Sequence, residues 1–182
     1  MVTALVRDPG RMTITSDHLR VIIGKISDDA LAEAAHDQDV VISTLGVGKS
    51  FRPNGLISES AKRIVRAMHD HGVRRLIFMS AFGVGDTYAD LPLGPKIFVR
   101  TLLREVYRDK EAGEATLRAS DLDWTVVYPA GLANRPATGR YRVGEHLLLR
   151  GFPMIPRADV AAFLLSQIED TTYLRRGVLT SS

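Results

Sequence analysis

The sequence predicts an α/β domain built on a mainly parallel sheet with helices on both faces. Three observations predict it. First, Val40 to Gly46, Val73 to Ala81 and Trp124 to Pro129 are short runs of near-continuous Val, Ile, Leu and Phe, the pattern of parallel strands buried on both faces. Second, segments with apolar residues at helical spacing separate such runs, so strands alternate with helices. Third, the three runs end in Leu45-Gly46, Ser80-Ala81 and Pro129-Ala130-Gly131. In an open α/β sheet, ligands bind outside the carboxyl ends of the strands, and these residues suit a ligand-facing loop.

At 182 residues the chain makes one domain, 1–182, with room for a sizeable core. The apolar and charged fractions, 45% and 25%, are those of an ordinary soluble protein. A net charge of +3 without a long basic run gives no nucleic-acid signature. No apolar run approaches membrane-spanning length, and Arg7, Asp8 and Arg11 interrupt any signal-peptide pattern. The expected setting is the cytoplasm. With no cysteine, disulfides and thiol catalysis are excluded. His69 and His71 fall on different helix faces and His18, His36 and His146 are isolated, so no metal site is expected.

In order, Val2 to Val6 reads as a strand ending in the turn Arg7-Asp8-Pro9-Gly10-Arg11, and Leu19 to Ile23 as a second, closed by Gly24. Ser27 caps a short helix to His36. Val40 to Leu45 is the third strand, followed by the flexible loop Gly46 to Ser50. Asn54 or Ser58 caps the next helix, with Ile57, Ala61, Ile64, Val65 and Met68 on its apolar stripe and Gly72 as its stop. Leu76 to Met79 is the fourth strand. A long loop runs from Ala81 to Pro95, a length with a functional reason or mobility behind it. Ile97 to Ala119 is a long helix with an irregularity near Gly113, and Trp124 to Tyr128 is the fifth strand. A loop from Ala130 to Gly139, a short strand from Arg140 to Val143, a helix from Arg157 to Glu169 and a strand from Gly177 to Thr180 close the chain.

Leu5-Val6-Arg7-Asp8-Pro9, Leu45-Gly46, His71-Gly72-Val73, Ser80-Ala81-Phe82, Lys110 to Glu114, Asp123 to Gly131, Thr138-Gly139 and Arg157 to Ala161 occur in this order. Together they resemble the atypical short-chain dehydrogenases, in particular the NmrA-like branch and the NADPH-dependent flavin reductases of the biliverdin-IX-beta reductase type. The resemblance implies a Rossmann-like fold. It also exposes a gap. The family's first strand and its G-x-x-G-x-x-G turn, which receives the cofactor pyrophosphate at a helix N-terminus, have no counterpart here. Gly46 and Gly48 follow the wrong strand. The first strand and helix are missing, and removing a central strand bares two edges. Three outcomes are open: a start upstream, closure of the gap by the remaining strands, or a strand supplied by another chain. A truncated reductase-like protein with an altered sheet or a homodimer covering the edge is expected.

The resemblance assigns roles by position. Arg7, with Arg11 beside it, stands where the adenosine ribose is read, and an arginine there accommodates a 2′-phosphate. NADP is therefore expected, with NAD possible because of Asp8. A solvated turn is the plain alternative, above all for Arg11. Lys25 replaces an acid of the family and reads better as a surface lysine, as does Lys49. Leu45, Gly46 and Val47 would lie along the ribose and nicotinamide. Ser80, at the serine position of the dehydrogenases, would bond a substrate carbonyl or the carboxamide, or else its own turn. Ala81 adjoins it. Lys110 would bond the nicotinamide ribose, or pair with Glu114. Tyr107 is turned by about 100° from the family's tyrosine position, which Val106 occupies, so no conventional Tyr/Lys dyad is expected. Tyr128, Pro129, Ala130 and Gly131 would hold the carboxamide through backbone groups. The functions implied are NADPH-dependent reduction of a flavin, quinone or similar flat acceptor, a non-catalytic NADP sensor, or an interaction module without dinucleotide.

Overall fold

The computed structural model describes residues 1–48 and 52–182. Lys49 lies outside the described residues, and nothing is assigned to the side chain of Arg11. Strands β1 (Val2–Val6) and β2 (Leu19–Ile23) pair in parallel, and α1 (Asp28–Ala35) follows. Ser27 caps α1 by accepting the Ala30 N–H at 3.3 Å. Next come β3 (Val40–Ser43), α2 (Leu56–Asp70) and β4 (Arg75–Met79). Helices α3 (Leu93–Thr101) and α4 (Arg104–Arg118) precede β5 (Asp123–Pro129). Short strands β6 (Gly131–Ala133), β7 (Arg142–Gly144) and β8 (Met154–Pro156) lead to α5 (Arg157–Ser166) and β9 (Arg176–Ser181).

The main sheet has the order β3-β4-β5-β9-β7, parallel except for β7. β6 and β8 pair separately. β1 and β2 form a sheet of their own. The strands described are not joined into one sheet: β1 and β3 are not paired with each other. α2 and α4 cover one face of the main sheet around Ile57, Met68, Leu76, Phe78 and Leu117. α5 covers the other, where Ile77, Val127, Val160 and Phe163 meet.

Several boundaries depart from the sequence reading. Neither Asn54 nor Ser58 caps α2. Its N-cap is Gly55, at φ 71°, and the cap is supplied by a distant side chain described below. Gly72 is the expected stop: with φ 71° it lets Val73 N–H reach Met68 O and its own N–H reach His69 O, a Schellman closure. The loop from Ala81 contains a 3-10 turn, Gly85–Tyr88, and ends early where α3 begins. It is tied to itself, since Thr87 Oγ1 accepts the Gly83 N–H at 2.8 Å and donates to Val84 O at 2.7 Å. The long helix expected to Ala119 is two helices. Leu103 leaves the helical path at φ −107°, ψ 7° and packs onto the core, so the break falls there. At Gly113 α4 is regular and lies close to α2, where an added Cβ would stand 3.1 Å from Ile57 Cγ2.

Candidate functional site

The carboxyl ends of the parallel strands bring several of the marked residues to one edge. Ser80 follows β4 and is buried; its N–H donates to Val127 O at 2.8 Å. Its hydroxyl turns inward and donates to Glu114 Oε1 at 2.5 Å. The Tyr128 hydroxyl donates to Glu114 Oε2 at 2.6 Å, and Arg118 Nη2 donates to the Tyr128 hydroxyl at 3.0 Å. Arg118 also stands 3.6 Å from Glu114 Oε2. Glu114, only 2% exposed, is thus the hub of a four-residue network. Burial raises its pKa against the opposing pull of these donors. Burial, and then Glu114, push the Tyr128 phenol far up. The Tyr128 side chain therefore belongs to the interior, and the Ser80 oxygen keeps only acceptor capacity toward a ligand.

Lys110 lies one helical turn before Glu114 and is 7% exposed. Glu114 is engaged by Ser80, Tyr128 and Arg118, and Lys110 forms neither an ion pair with it nor a hydrogen bond to any described residue. Burial lowers the Lys110 pKa, opposed by the charges of Glu114 and Asp109. A buried ammonium without a partner is costly, and such groups concentrate at functional sites. Asp109 beside it accepts Ile57 N–H at 2.9 Å and Ser58 N–H at 3.1 Å, and Ser58 Oγ donates to it at 2.6 Å. It is the cap of α2. Tyr107 donates its hydroxyl to Phe82 O at 3.0 Å, and burial pushes its pKa up to about 12. Both features set it aside as a proton donor.

Arg7 is exposed past the end of β1 and makes no ion pair among the described residues. Leu45 and Ala81 pack against the core, and Val47 is half-buried. Gly46 is exposed, and an added Cβ there would meet nothing within 4 Å. Internal packing thus leaves its backbone open to an approaching ligand. Pro129 O accepts Phe82 N–H, Ala130 N–H donates to Thr180 O at 2.9 Å, and Gly131 N–H donates to Pro153 O at 2.9 Å. A Cβ on Gly131 would collide with Met154 Sδ. These amide donors serve the fold and are not free for a carboxamide.

A dinucleotide is matched in one half only. Lys110, Ser80 and the open backbone at Gly46 suit a ribose and a nicotinamide. The pyrophosphate wants free N–H groups at a helix start. α2 spends its own on Asp109, and α1 is capped by Ser27. A cavity of about 460 Å³ is lined by Gly83 to Gly85 and Tyr88 on one side and by Arg100, Arg104, Tyr107, Arg108 and Glu111 on the other.

Sequence reasoning passed over Glu114, Arg118 and Asp109 as site-building groups. One signal was available: Val106, Asp109, Lys110, Gly113, Glu114 and Leu117 share the buried stripe of α4. Three charges on an otherwise apolar stripe mark a network.

Among curated proteins, UPF0659 protein C216.03 of Schizosaccharomyces pombe is 31% identical over 119 residues, which is 59% of this chain and 48% of that protein. The uncharacterized sugar epimerase YhfK of Bacillus subtilis is 29% identical over 147 residues, 79% of this chain and 63% of that one. Oxidoreductase stcQ of Emericella nidulans is 29% identical over 137 residues, 69% and 50%. The chain thus spans about half to two thirds of the length of these relatives. Of solved structures, the anaerobillin reductase ChuY of Escherichia coli superposes with a TM-score of 0.78 at 22% identity, over 98% of this chain and 83% of that one. A short-chain dehydrogenase/reductase of Veillonella parvula in complex with NADP gives 0.79 at 20%, over 99% and 82%. These likenesses show a Rossmann-like α/β fold. A family model described as NAD(P)H-binding matches residues 1–171, and the chain accordingly belongs to that NAD(P)H-binding family.

Proposed function

We propose that the protein is an NADPH-dependent reductase of a flat acceptor such as a flavin, a quinone or an open-chain pigment. The observation that carries this reading is the buried Lys110 ammonium, unpaired among the described residues and one turn from the network that ends at Ser80. Lys110 holds ribose hydroxyls. The Ser80 oxygen, already donating to Glu114, accepts from a carboxamide N–H. Exposed Arg7 favours the 2′-phosphate of NADP over a bare ribose. Bound NADPH supplies a hydride. Tyr107 and Tyr128 both have raised pKa values and internal hydrogen-bond partners, so the proton comes from water. That suits acceptors that need no enzymic acid. The tyrosines of the cavity lined by Gly83 to Gly85 suit an aromatic plane, and Arg100, Arg104 and Arg108, with Glu111 among them, suit polar substituents on it. The absence of a conventional Tyr/Lys dyad also fits an NADP sensor of the NmrA type, and the internal capping of the α1 and α2 starts fits an interaction module.

Calorimetric titration with NADPH, together with dye- and flavin-reduction assays, tests the reading. Binding that weakens at least tenfold in Lys110→Met, with turnover in the parent protein, is expected. Binding without turnover selects the sensor. Absence of binding, or binding indifferent to Lys110→Met, overturns the assignment.

A further inference from the structure

Helix α3 turns its apolar side outward. Val99 is its one buried residue. Leu93, Ile97, Phe98 and, at the C-cap, Leu102 are 42% to 75% exposed. At about 100° per residue these four span one half of the helix. A surface helix ordinarily keeps its apolar stripe on the core and its charges in water.

The arm between β7 and β8 extends this surface. Its start is pinned ahead of α3, where His146 Nδ1 stands 3.0 Å from Asp90 Oδ2. Its end lies on α3, where a Cβ added to Gly94 would stand 3.3 Å from Phe152 Cζ. Between these points Leu147 and Leu149 pack against the core, while Leu148 and Phe152 stand out, 96% and 71% exposed. None of the six exposed apolar side chains lines either of the two largest cavities. They protrude and enclose nothing.

The rim is cationic. Residues 93–104 and 146–157 contain no Asp or Glu and carry Lys96, Arg100, Arg104, Arg150 and Arg157. Arg100, Arg104 and Arg150 make no ion pair among the described residues. The acids that border the two segments are already engaged. Asp90 pairs with His146, Glu105 stands 3.5 Å from Arg108, and Glu145 stands 2.6 Å from Arg176.

This chemistry selects the occupant. A second copy would set the same cations against each other. A peptide helix docks in an apolar groove, and these side chains form a ridge. A bilayer with anionic headgroups meets both features: protruding apolar groups enter the acyl boundary, and the arginines meet the negative surface. No described helix is long and apolar enough to cross a membrane, so α3 lies in the plane of the interface.

We propose that α3 and the arm from Glu145 to Phe152 form a peripheral docking surface for an anionic lipid bilayer.

The probe is a set of vesicles of phosphatidylcholine alone or with about one quarter phosphatidylserine. Co-sedimentation with the mixed vesicles is expected to exceed that with the neutral ones at least tenfold. The excess should vanish in roughly 1 M salt, where the Debye length is about 3 Å. Ile97→Ser combined with Phe152→Ser should weaken binding at least about tenfold with unchanged thermal melting, since both side chains are exposed. Arg100→Gln combined with Arg150→Gln should weaken it at least about tenfold on mixed vesicles only. The chain has no cysteine, so Ile97→Cys carries a single environment-sensitive fluorophore, whose emission should move to the blue on mixed vesicles. Equal binding to both vesicles, undiminished binding of the serine variant, an unshifted fluorophore or no binding overturns the proposal. So does a lipid-independent dimer in sedimentation that the serine variant dissolves, which would assign the surface to a second copy.

Discussion

Ser80 and Glu114, 34 positions apart, are joined by a 2.5 Å hydrogen bond that ties the end of β4 to the middle of α4. The other Glu114 oxygen takes the Tyr128 hydroxyl at 2.6 Å, so one carboxylate locks a helix to two neighbouring strands. The strand end bearing Ser80 is held from beneath.

Removing the carboxylate should therefore cost more than one hydrogen bond. Glu114→Ala leaves the Ser80 and Tyr128 hydroxyls buried and short of an acceptor, and is expected to destabilise by about 3 kcal/mol. Urea denaturation measures it. A loss under about 0.5 kcal/mol would show that the network is dispensable.

The same residue sets a pH dependence. Its folded pKa is raised by burial above the unfolded value of about 4.3. Between those two values the folded state binds more protons, so stability falls as pH rises through the window. Glu114→Gln should flatten that slope. Parallel slopes in the two proteins between pH 4 and the neutral range, a span of roughly three units, would remove Glu114 as its source.

Lys110 trades stability for binding. Its pKa is lowered by burial, so between the folded value and the unfolded one of about 10.4 the unfolded state binds more protons and stability rises with pH. Lys110→Met should raise stability near neutrality by about 1 kcal/mol, since an unpaired charge leaves the interior. Thermal melts at neutral and alkaline pH check it: the gain should shrink as pH climbs. A destabilised variant would mean that the ammonium has a stabilising partner.

Asp109 should matter to α2 as a cap from outside its own sequence. Asp109→Ala frees the Ile57 and Ser58 N–H groups, and a loss of about 1–2 kcal/mol is expected. Amide exchange should accelerate first at the start of α2. Uniform acceleration through the domain would contradict a local capping role.

Tyr107→Phe separates fold from chemistry. It deletes the bond to Phe82 O and should cost about 1 kcal/mol. Turnover per bound cofactor should stay within about twofold. A loss of about a hundredfold would make Tyr107 a general acid after all.

The alternation of buried apolar runs with helical stripes was enough to read the α/β class, because it depends on neighbours two to four positions apart. The Schellman stop at Gly72 and the Ser27 cap were legible for the same reason. Local geometry alone settles them. What the tertiary structure decided involves groups far apart in the chain. Asp109 caps a helix that starts 53 residues earlier with its first turn near Ile57, a contact spanning 52 positions. Glu114 takes the Ser80 hydroxyl, and this leaves Lys110 without the i,i+4 partner its sequence offers. Only the structure decided that β1 and β3 stay apart. The reason is physical: α1 packs on β1 and on α2, and drawing the two edges together would disturb that packing for one ladder of hydrogen bonds, each worth little net.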